Sequence, residues 1–380
     1  MLCVLVGGEL EELSAALTTP ALTIRSLRTT AVDIPMARPL GTSARTMRTA
    51  PFLLIDLETH EGVTGRSYLF CYVAAALPAI AGILHEAFQL VRGDPAAPLD
   101  LASKLERHFR LIGVRGVVNM ALAGLDVACW DALAVAAGVP LVSFLGGAAR
   151  PLPAYNSNGL SLMAPEAAAD EAEALLAGGF RAVKLRLGYP TLDADLAAVR
   201  AVRTTLPSDV LLMADYNQAL TVAEALRRGR VLDDEGLAWI EEPIRHDDYA
   251  GCAALARELA TPIQIGENFT GPNAMAVALS CGASDYVMVD LERIGGVTGW
   301  LQAAALAASA GVELSSHLFP EVSAHLLAVT QTAHWLEYID WAAPVLNAPL
   351  NIVNGHAVTP DRPGIGLSWN QEAIARYRVS

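Results

Sequence analysis

The stretches RAVKLRL (181–187), VLLMADYN (210–217) and LAWIEEP (237–243) decide the fold of this chain, because each is a short apolar run that carries charged residues at or near its end. The same kind of run returns four more times, as PIQIGEN (262–268), YVMVDL (286–291), VELSSHLF (312–319) and WLEYID (335–340). Ala-rich segments of helical length separate the runs. Short strands that alternate with helices predict a parallel sheet, and this many units predict its closure into a barrel.

One polar residue recurs near the end of each run at nearly even spacing. These residues are Lys184, Asp215, Glu241, Glu267, Asp290, His317 and Glu337, with gaps of 31, 26, 26, 23, 27 and 20 residues. In a (β/α) barrel the strand ends converge on one mouth, so these side chains are expected to face one cavity. A cavity lined by carboxylates, a lysine and a histidine indicates an enzyme.

Composition and charge exclude several classes of protein. With 53% apolar and 17% charged residues, the 380-residue chain has a globular composition and is long enough for two domains. The formal charge of −14 disfavours nucleic acid or an anionic membrane surface as the main partner. Scattered cysteines, the absence of a signal-like start and the absence of a long apolar run predict a cytoplasmic protein with buried thiols and no membrane span.

The pattern changes along the chain and predicts two domains. Residues 1–20 are predicted to be an extension, and residues 21–145 an α+β domain in which strands precede helices. Residues 146–345 are predicted to form the barrel, and residues 346–380 to fold back on the first domain. The stretch 40–50, rich in Gly, Ser, Thr and Ala, is predicted to be a mobile substrate loop.

Local signals place individual elements. Alternating apolar and polar residues at 22–35 and 50–70 predict antiparallel strands. Helical patterns are predicted over about 76–92, 98–109 and 117–137. In the barrel, Thr221 and Glu224 predict a capping box at the start of a helix.

Three carboxylates on consecutive strands predict a metal site. Asp215, Glu241 and Glu267 occupy equivalent places at their strand ends, and hard oxygen ligands suit Mg²⁺ or Mn²⁺. A single acid at such a place could equally be a helix cap or a surface ion pair. Glu242 and Asn268, which adjoin two of the three, are either supporting residues or participants in local loop hydrogen bonds.

The remaining candidates handle protons and charge. His317 follows an apolar strand, and Asp290 ends the neighbouring one; a carboxylate beside an imidazole makes a competent general base. Lys184 and Arg186 lie two apart and therefore point to the same side of one strand, where they could bind an anion. Glu337, if protonated, could donate a hydrogen bond to a substrate carboxylate, and a plain salt bridge is the alternative.

The motifs RAVKLRLGYP, DYNQ, WIEEP, GEN, IGGVTGW, SSHLF and AHWLE together resemble the enolase superfamily, and within it the mandelate racemase subgroup, from about residue 21 to the C-terminus. The resemblance implies an α/β fold in which an α+β capping domain covers a (β/α)7β modified TIM barrel. It also implies a homo-octamer that acts on a small-molecule carboxylate.

The resemblance assigns a role to each candidate residue. By it, Asp215, Glu241 and Glu267 are Mg²⁺ ligands, His317 is the general base with Asp290 as its partner, Lys184 neutralises the substrate carboxylate, Glu337 is the acid near it, and Ser157 and Asn217 contact the substrate. The shared chemistry is removal of the proton α to a carboxylate, in which a metal and fixed cations stabilise the enolate.

Two parts of the chain depart from the racemase pattern. The racemase has a second lysine, the base for the opposite face, where this chain has Arg186, and arginine normally stays protonated. Arg45 and Arg48 stand where that enzyme has glycines, next to the apolar positions Leu40, Ala44 and Met47. If either arginine points inward, a polar or dianionic substrate is expected; otherwise both are solvated loop charges.

Three functions follow from these observations. The leading one is Mg²⁺-dependent (or Mn²⁺-dependent) racemisation of a mandelate-like 2-hydroxycarboxylate. An acid-sugar dehydratase in which His317 alone transfers protons is the alternative, with a 2-keto-3-deoxy acid as its product. A binding protein that keeps metal and carboxylate affinity without turnover is the third.

Overall fold

The computed structural model describes residues 22–379, so the predicted extension at 1–20 lies outside the described residues. The described chain opens with three antiparallel strands in the order β1 (Ile24–Gly41), β2 (Thr46–Thr59) and β3 (Thr64–Phe70). Side chains alternate along β2 with period two: Leu53 and Ile55 pack in one apolar cluster, and Phe52 and Leu54 in another. β2 is therefore the shared wall of two cores.

The predicted loop at 40–50 is wrong in its extent. β1 continues to Gly41 and β2 begins at Thr46, with Leu40 opposite Met47 and Gly41 opposite Thr46, so only residues 42–45 lie outside the strands. Polar composition predicted a loop, but the cross-strand pairing extends to the tip of the hairpin. We call residues 40–48 the capping hairpin tip.

Helices complete the capping domain. They are α1 (Leu77–Val91), α2 (Pro98–Phe109), α3 (Val117–Ala136) and α4 (Leu141–Phe144). The first three match the predicted spans to within one residue. α3 has few exposed positions because it packs in both apolar clusters. Leu125 and Ala128 belong to the cluster of Leu53 and Ile55, and Val127 belongs to the cluster that continues into the barrel.

Eight strands and eight helices form the second domain. The strands are β4 (Pro151–Asn156), β5 (Ala182–Arg186), β6 (Leu211–Asp215), β7 (Ile240–Glu241), β8 (Ile263–Ile265), β9 (Tyr286–Asp290), β10 (Glu313–His317) and β11 (Leu336–Tyr338). The helices are α5 (Pro165–Ala174), α6 (Leu192–Thr205), α7 (Val222–Leu232), α8 (Tyr249–Glu258), α9 (Pro272–Ser280), α10 (Leu291–Ile294), α11 (Gly296–Ala310) and α12 (Pro320–Val329). β4 to β10 are parallel neighbours in chain order. The predicted modified TIM barrel with a capping domain is confirmed.

The last barrel strand connects the two ends of this row. β11 pairs with β4 in parallel. On its other side, in the described chain, isolated bonds replace a regular ladder: Leu314 N–H donates to the Thr332 carbonyl (2.8 Å) and Ser316 N–H to the Trp335 carbonyl (3.0 Å). The segment 332–338 thus carries backbone hydrogen bonds to both β10 and β4.

An apolar layer supports the mouth of the barrel from below. Tyr155, Ala182, Met213 and Trp239 form a buried cluster inside the barrel. Because strand side chains alternate, the residue two places after each of the last three points the same way, and these residues are Lys184, Asp215 and Glu241. Charged groups therefore stand directly above packed aromatic and apolar side chains.

The C-terminal segment contacts both domains. A hairpin of β12 (Asn351–Val353) and β13 (His356–Val358) adds to the barrel sheet, with β13 antiparallel to β4. The segment then returns to the capping domain, where the Trp369 indole N–H donates to Asp56 (2.9 Å) and Val379 N–H to the Ala31 carbonyl (3.1 Å). Its last helix is α13 (Gln371–Tyr377).

Two further expectations concern membranes and thiols. By length and composition alone, 74–91 and 117–136 could cross a membrane, but both pack by their apolar faces in the cores described above. Of the described cysteines, all unpaired, three are buried as expected and Cys281 is exposed, which the sequence did not predict.

Candidate active site

Three carboxylates meet at the mouth of the barrel. Asp215 and Glu241 are the last residues of β6 and β7 and stand opposite each other in register, and Glu267 follows β8. One oxygen from each lies within 4.8 Å of the others. Burial raises the pKa of Asp215 and raises that of Glu241 to about 8, against the opposing effect of a nearby lysine. A divalent cation would offset this charge, and the all-oxygen donor set fits one.

Neighbouring side chains hold the three acids in place. Asn217 donates to Asp215 through its backbone N–H (2.8 Å) and its amide (2.9 Å), and the Trp239 indole donates to Glu241 (3.2 Å). Asn268 donates to Glu267 (3.0 Å) and to Glu242 (2.7 Å). Asn217, predicted to contact substrate, thus binds a candidate metal ligand.

Lys184 is the buried cation of this cluster. Its Nζ lies 2.6 Å from Glu241, 2.8 Å from Glu337 and 3.7 Å from Asp215. Burial opposes the charge, but Glu241 and Glu337 outweigh burial and raise the pKa of Lys184 well above its usual value. Lys184 therefore stays charged.

Glu337 is ionised in this arrangement. Burial pushes its pKa upward, but Lys184 and His317 outweigh that effect and lower it overall. Its Oε2 also accepts the Leu318 N–H (2.8 Å). These contacts favour the salt-bridge alternative over a protonated donor.

His317 and Asp290 form the pair that the sequence predicted. They end β10 and β9 opposite each other, and His317 Nδ1 lies 2.7 Å from Asp290 Oδ2. The other Asp290 oxygen accepts the backbone N–H groups of Glu292 (2.9 Å) and Arg293 (3.0 Å) at the start of α10, which fixes the carboxylate. The imidazole is thereby held with Nδ1–H towards Asp290 and Nε2 free to exchange a proton.

The acids around His317 favour its protonated form. Burial lowers its pKa, but Glu267, Glu337 and Asp290 outweigh burial and raise it to about 9. Nε2 lies 3.2 Å from Glu267. A cation bound to Glu267 would weaken this attraction, so the histidine is expected to become a better proton acceptor once the metal site is filled.

Arg186 is bound by uncharged acceptors. Its Nη1 donates to the carbonyl oxygens of Ser157 (2.9 Å) and Gly159 (3.0 Å), and its Nη2 to the Ser157 hydroxyl (2.9 Å). Nε has no partner in the described chain. Since a guanidinium has five N–H groups, Nε–H and one Nη2–H have no acceptor in the described chain. Ser157 therefore orients Arg186.

The capping hairpin tip lies over the barrel loops. The Ser43 hydroxyl donates to the Tyr216 carbonyl (3.0 Å). The predicted substrate residues divide by exposure: Leu40 and Met47 are buried, whereas Ala44, Arg45 and Arg48 are exposed. The exposure of both arginines favours the solvated alternative.

Sequence reasoning missed two residues beside the acids. Arg293 donates to the Glu267 carbonyl (3.1 Å) and to the side chain of Asn268, and its guanidinium lies 4.6 Å from the ring centroid of Tyr72. Tyr72 follows β3 with φ of +57°, and its hydroxyl has no partner in the described chain. Neither residue ends a barrel strand, so the spacing of the runs gave no signal.

Comparison with known families agrees with this geometry. Residues 24–146 match the N-terminal domain of the mandelate racemase / muconate lactonizing enzyme family, and residues 167–373 match the enolase C-terminal domain-like family. A Salmonella typhimurium L-talarate/galactarate dehydratase is 30% identical over 347 residues, which cover 90% of this chain and 87% of the relative. A Streptomyces coelicolor 3,6-anhydro-alpha-L-galactonate cycloisomerase is also 30% identical, covering 94% of this chain and 99% of the relative.

Solved structures are similar over nearly the whole chain. An enolase from alpha proteobacterium BAL199 with bound Mg²⁺ is 44% identical with a TM-score of 0.92, covering 94% of this chain and 100% of its own. A Bradyrhizobium enolase complexed with magnesium and mandelic acid is 41% identical with a TM-score of 0.91, covering 96% and 100%. The chain therefore belongs to the mandelate racemase / muconate lactonizing enzyme family of the enolase superfamily.

Proposed function

We propose that this protein is a Mg²⁺-dependent lyase that dehydrates an acid sugar after removing the proton α to its carboxylate. Asp215, Glu241 and Glu267 would hold the ion, which supplies positive charge next to the substrate carboxylate when bound. The observation that carries the proposal is the contrast between two side chains: His317 is oriented as a base by Asp290, whereas Arg186 is held as a hydrogen-bond donor by Ser157 and Gly159.

The roles of the residues follow from that contrast. His317 Nε2 accepts the α-proton and then returns it to the departing β-hydroxyl, so that one group acts first as base and then as acid. Lys184 supplies fixed positive charge near the developing enolate. The free Nε–H of Arg186 donates to a substrate oxygen. The dehydratase relative supports this outcome.

Racemisation of a mandelate-like acid is the second candidate. The 41% identical Bradyrhizobium structure holds mandelic acid, and the buried Leu40 and Met47 at the hairpin tip suit an apolar substrate group. This outcome requires proton exchange at a second face, where Arg186 would have to act.

Incubation in D₂O with Mg²⁺ and a panel of acid sugars and mandelates distinguishes the two. Dehydration gives a 2-keto-3-deoxy acid, and any substrate recovered carries deuterium from exchange at one face only. Deuterium in both enantiomers of a recovered mandelate would instead establish racemisation. His317→Asn is the control and is expected to abolish exchange. No exchange by the parent protein with any member of the panel would favour the binding-protein function.

A further inference from the structure

A groove separate from the candidate active site lies between the two domains. It encloses about 580 Å³, between α2 and α3 of the capping domain on one side and residues 270–277 with α11 on the other. None of the candidate site residues lines it. Its floor is apolar, with Leu101, Leu105 and Leu125 among the lining residues.

Exposed apolar side chains lie in the groove or next to its lining residues in the chain. Val277 lines the groove and is 51% exposed. Leu111 (98% exposed) and Ile112 (71% exposed) directly follow Arg110, which also lines it, and Leu99 (61% exposed) lies on α2. Exposed apolar side chains beside an apolar groove are typical of a surface that another segment covers.

The groove also carries unpaired positive charge. Arg110 and Arg115 line it, and neither makes an ion pair with any of residues 22–379. The acids at the groove are Glu106, which is exposed at the rim, and Asp126, which is buried and bonded to Thr298. A ligand with apolar groups and carboxylates would fit.

The chain enters the described structure beside one end of this groove. Ala96 N–H donates to the Leu22 carbonyl (2.7 Å), and Thr23 pairs with Pro95. Pro98, two residues beyond Ala96, begins α2 and lines the groove. Leu22, the first described residue, is therefore hydrogen-bonded to a residue only two positions before one that lines the groove.

The preceding sequence has the matching chemistry. Residues 1–20, MLCVLVGGELEELSAALTTP, contain seven Leu or Val residues, the three acids Glu9, Glu11 and Glu12, and no Lys or Arg. An extended chain spans roughly 3.3 Å per residue, whereas the 12 residues of α2 span roughly 18 Å. The segment is long enough to follow the groove from end to end.

We propose that residues 1–20 dock in this groove, with their leucines and valines on its apolar floor and rim and their glutamates facing Arg110 and Arg115. The segment would then join the capping domain to the barrel in the same chain. A second copy of the protein is the competing occupant, and the experiment separates the two.

Hydrogen–deuterium exchange compares the full chain with a chain that lacks residues 2–20. Amides in 98–115 and 271–279 are expected to exchange several-fold faster in the truncated protein, and amides of α6 are expected not to change. Equal exchange in the two proteins would overturn the proposal. Protection that survives truncation and rises with protein concentration would show that a second copy covers the groove, and would overturn it as well.

Charge reversal in the full-length protein provides the second test. Arg110→Glu with Arg115→Glu is expected to speed exchange in the groove as truncation does, and adding Glu9→Lys, Glu11→Lys and Glu12→Lys is expected to restore protection. Arg257→Glu with Arg362→Glu, on exposed residues outside the groove, is the matched control. If the reciprocal exchange of charges restores nothing, the segment does not lie against these arginines.

Discussion

Position 186 is the residue at which this chain has arginine in place of the second lysine that the resemblance to the racemase implied. Arg186→Lys replaces a guanidinium group, which Ser157 and Gly159 hold by hydrogen bonds, with an amine that can release a proton. We predict at least a tenfold rise in deuterium exchange at the second face of a mandelate-like acid, together with weaker dehydration. NMR of recovered substrate measures both.

Arg186→Met is the control for that experiment, because it removes the charge without adding a base. If the lysine and methionine variants show the same exchange at the second face, the account of position 186 is wrong.

The raised pKa of Glu241 predicts how the metal-free protein responds to pH. Between pH 4.5 and about 8 the unfolded chain has lost this proton while the folded protein keeps it, so the free energy of unfolding falls as the pH rises through this window. Glu241→Gln is expected to flatten that dependence in the presence of a chelator. Urea unfolding at several pH values measures it.

Mg²⁺ is expected to reverse this pH dependence of the free energy of unfolding in the parent protein but not in Glu241→Gln. At 100 times its Kd, a ligand that binds only the folded state adds about 2.7 kcal/mol to the free energy of unfolding. The increase is expected to become smaller as the pH falls below about 8, because Glu241 then holds a proton that the ion must displace. An equal Mg²⁺ effect on Glu241→Gln would show that the ion binds elsewhere.

Individual residues were predictable where the strand pattern fixed them. The acid cluster and the His317–Asp290 pair follow from period-two alternation at parallel strand ends. Tyr72 and Arg293 were missed because they reach the acids from a turn and a short helix. The ionisation of Glu337 could not be predicted, because it depends on the 2.8 Å distance to Lys184.

At the scale of the elements, a neutral histidine of α12 forms hydrogen bonds with two other parts of the chain. His325 Nδ1 accepts the Val142 N–H (3.2 Å), so its Nε2 carries the hydrogen and donates to the Ile365 carbonyl (3.2 Å). Burial lowers the pKa of His325 to about 4. One helix thereby holds both α4 and the C-terminal segment.

This histidine predicts a loss of stability in acid. As the pH falls from 6.5 to about 4, His325 becomes protonated in the unfolded chain but not in the folded protein. The free energy of unfolding therefore falls by up to roughly 3 kcal/mol. His325→Gln is expected to lower stability at pH 7 by about 1–3 kcal/mol but to remove this part of the acid dependence.

Urea unfolding between pH 4 and 7.5 tests it, with the exposed His60→Gln as the matched control. Parallel stability curves for the parent and His325→Gln would contradict the assignment.

Element boundaries were predicted best where propensity and packing agree. α2 matches its predicted span because Pro98 begins it and its apolar positions recur with helical period. The capping box at Thr221 formed only in part: Thr221 accepts the Glu224 N–H (3.3 Å), but the Glu224 carboxylate binds Arg227 and Arg228. Because the Glu224 carboxylate pairs with these two arginines, it does not complete the capping box.

At the scale of the whole molecule, the C-terminal segment fastens the two domains together. Trp369 and Trp341 are buried to nearly the same extent, with 7% and 8% of their surface exposed. Of the two indole N–H groups, only that of Trp369 has a partner in the described chain, the Asp56 carboxylate. We predict that Trp369→Phe lowers the free energy of unfolding by about 1–3 kcal/mol more than Trp341→Phe, because it leaves a buried carboxylate one donor short. Equal losses in chemical denaturation would show that packing alone matters.

The architecture was predictable at this scale because alternating strands and helices leave few alternatives. The hairpin of β12 and β13 was not predicted, because its strands are only three residues long. Its pairing with β4 joins residues about 200 positions apart, and no local pattern reports such a contact.

That β4 pairs with both β11 and β13 has a consequence for the newly made chain. The ribosome releases β4 early and its neighbour β5 soon after it, yet β11 and β13 emerge some 180 to 200 residues later, so the backbone groups of β4 that pair with them stay open through about half of synthesis. Glu337, which contacts Lys184, arrives with the late partner. An unfinished chain therefore has an incomplete site and an exposed strand edge, and this is the interval in which the protein most needs protection from aggregation.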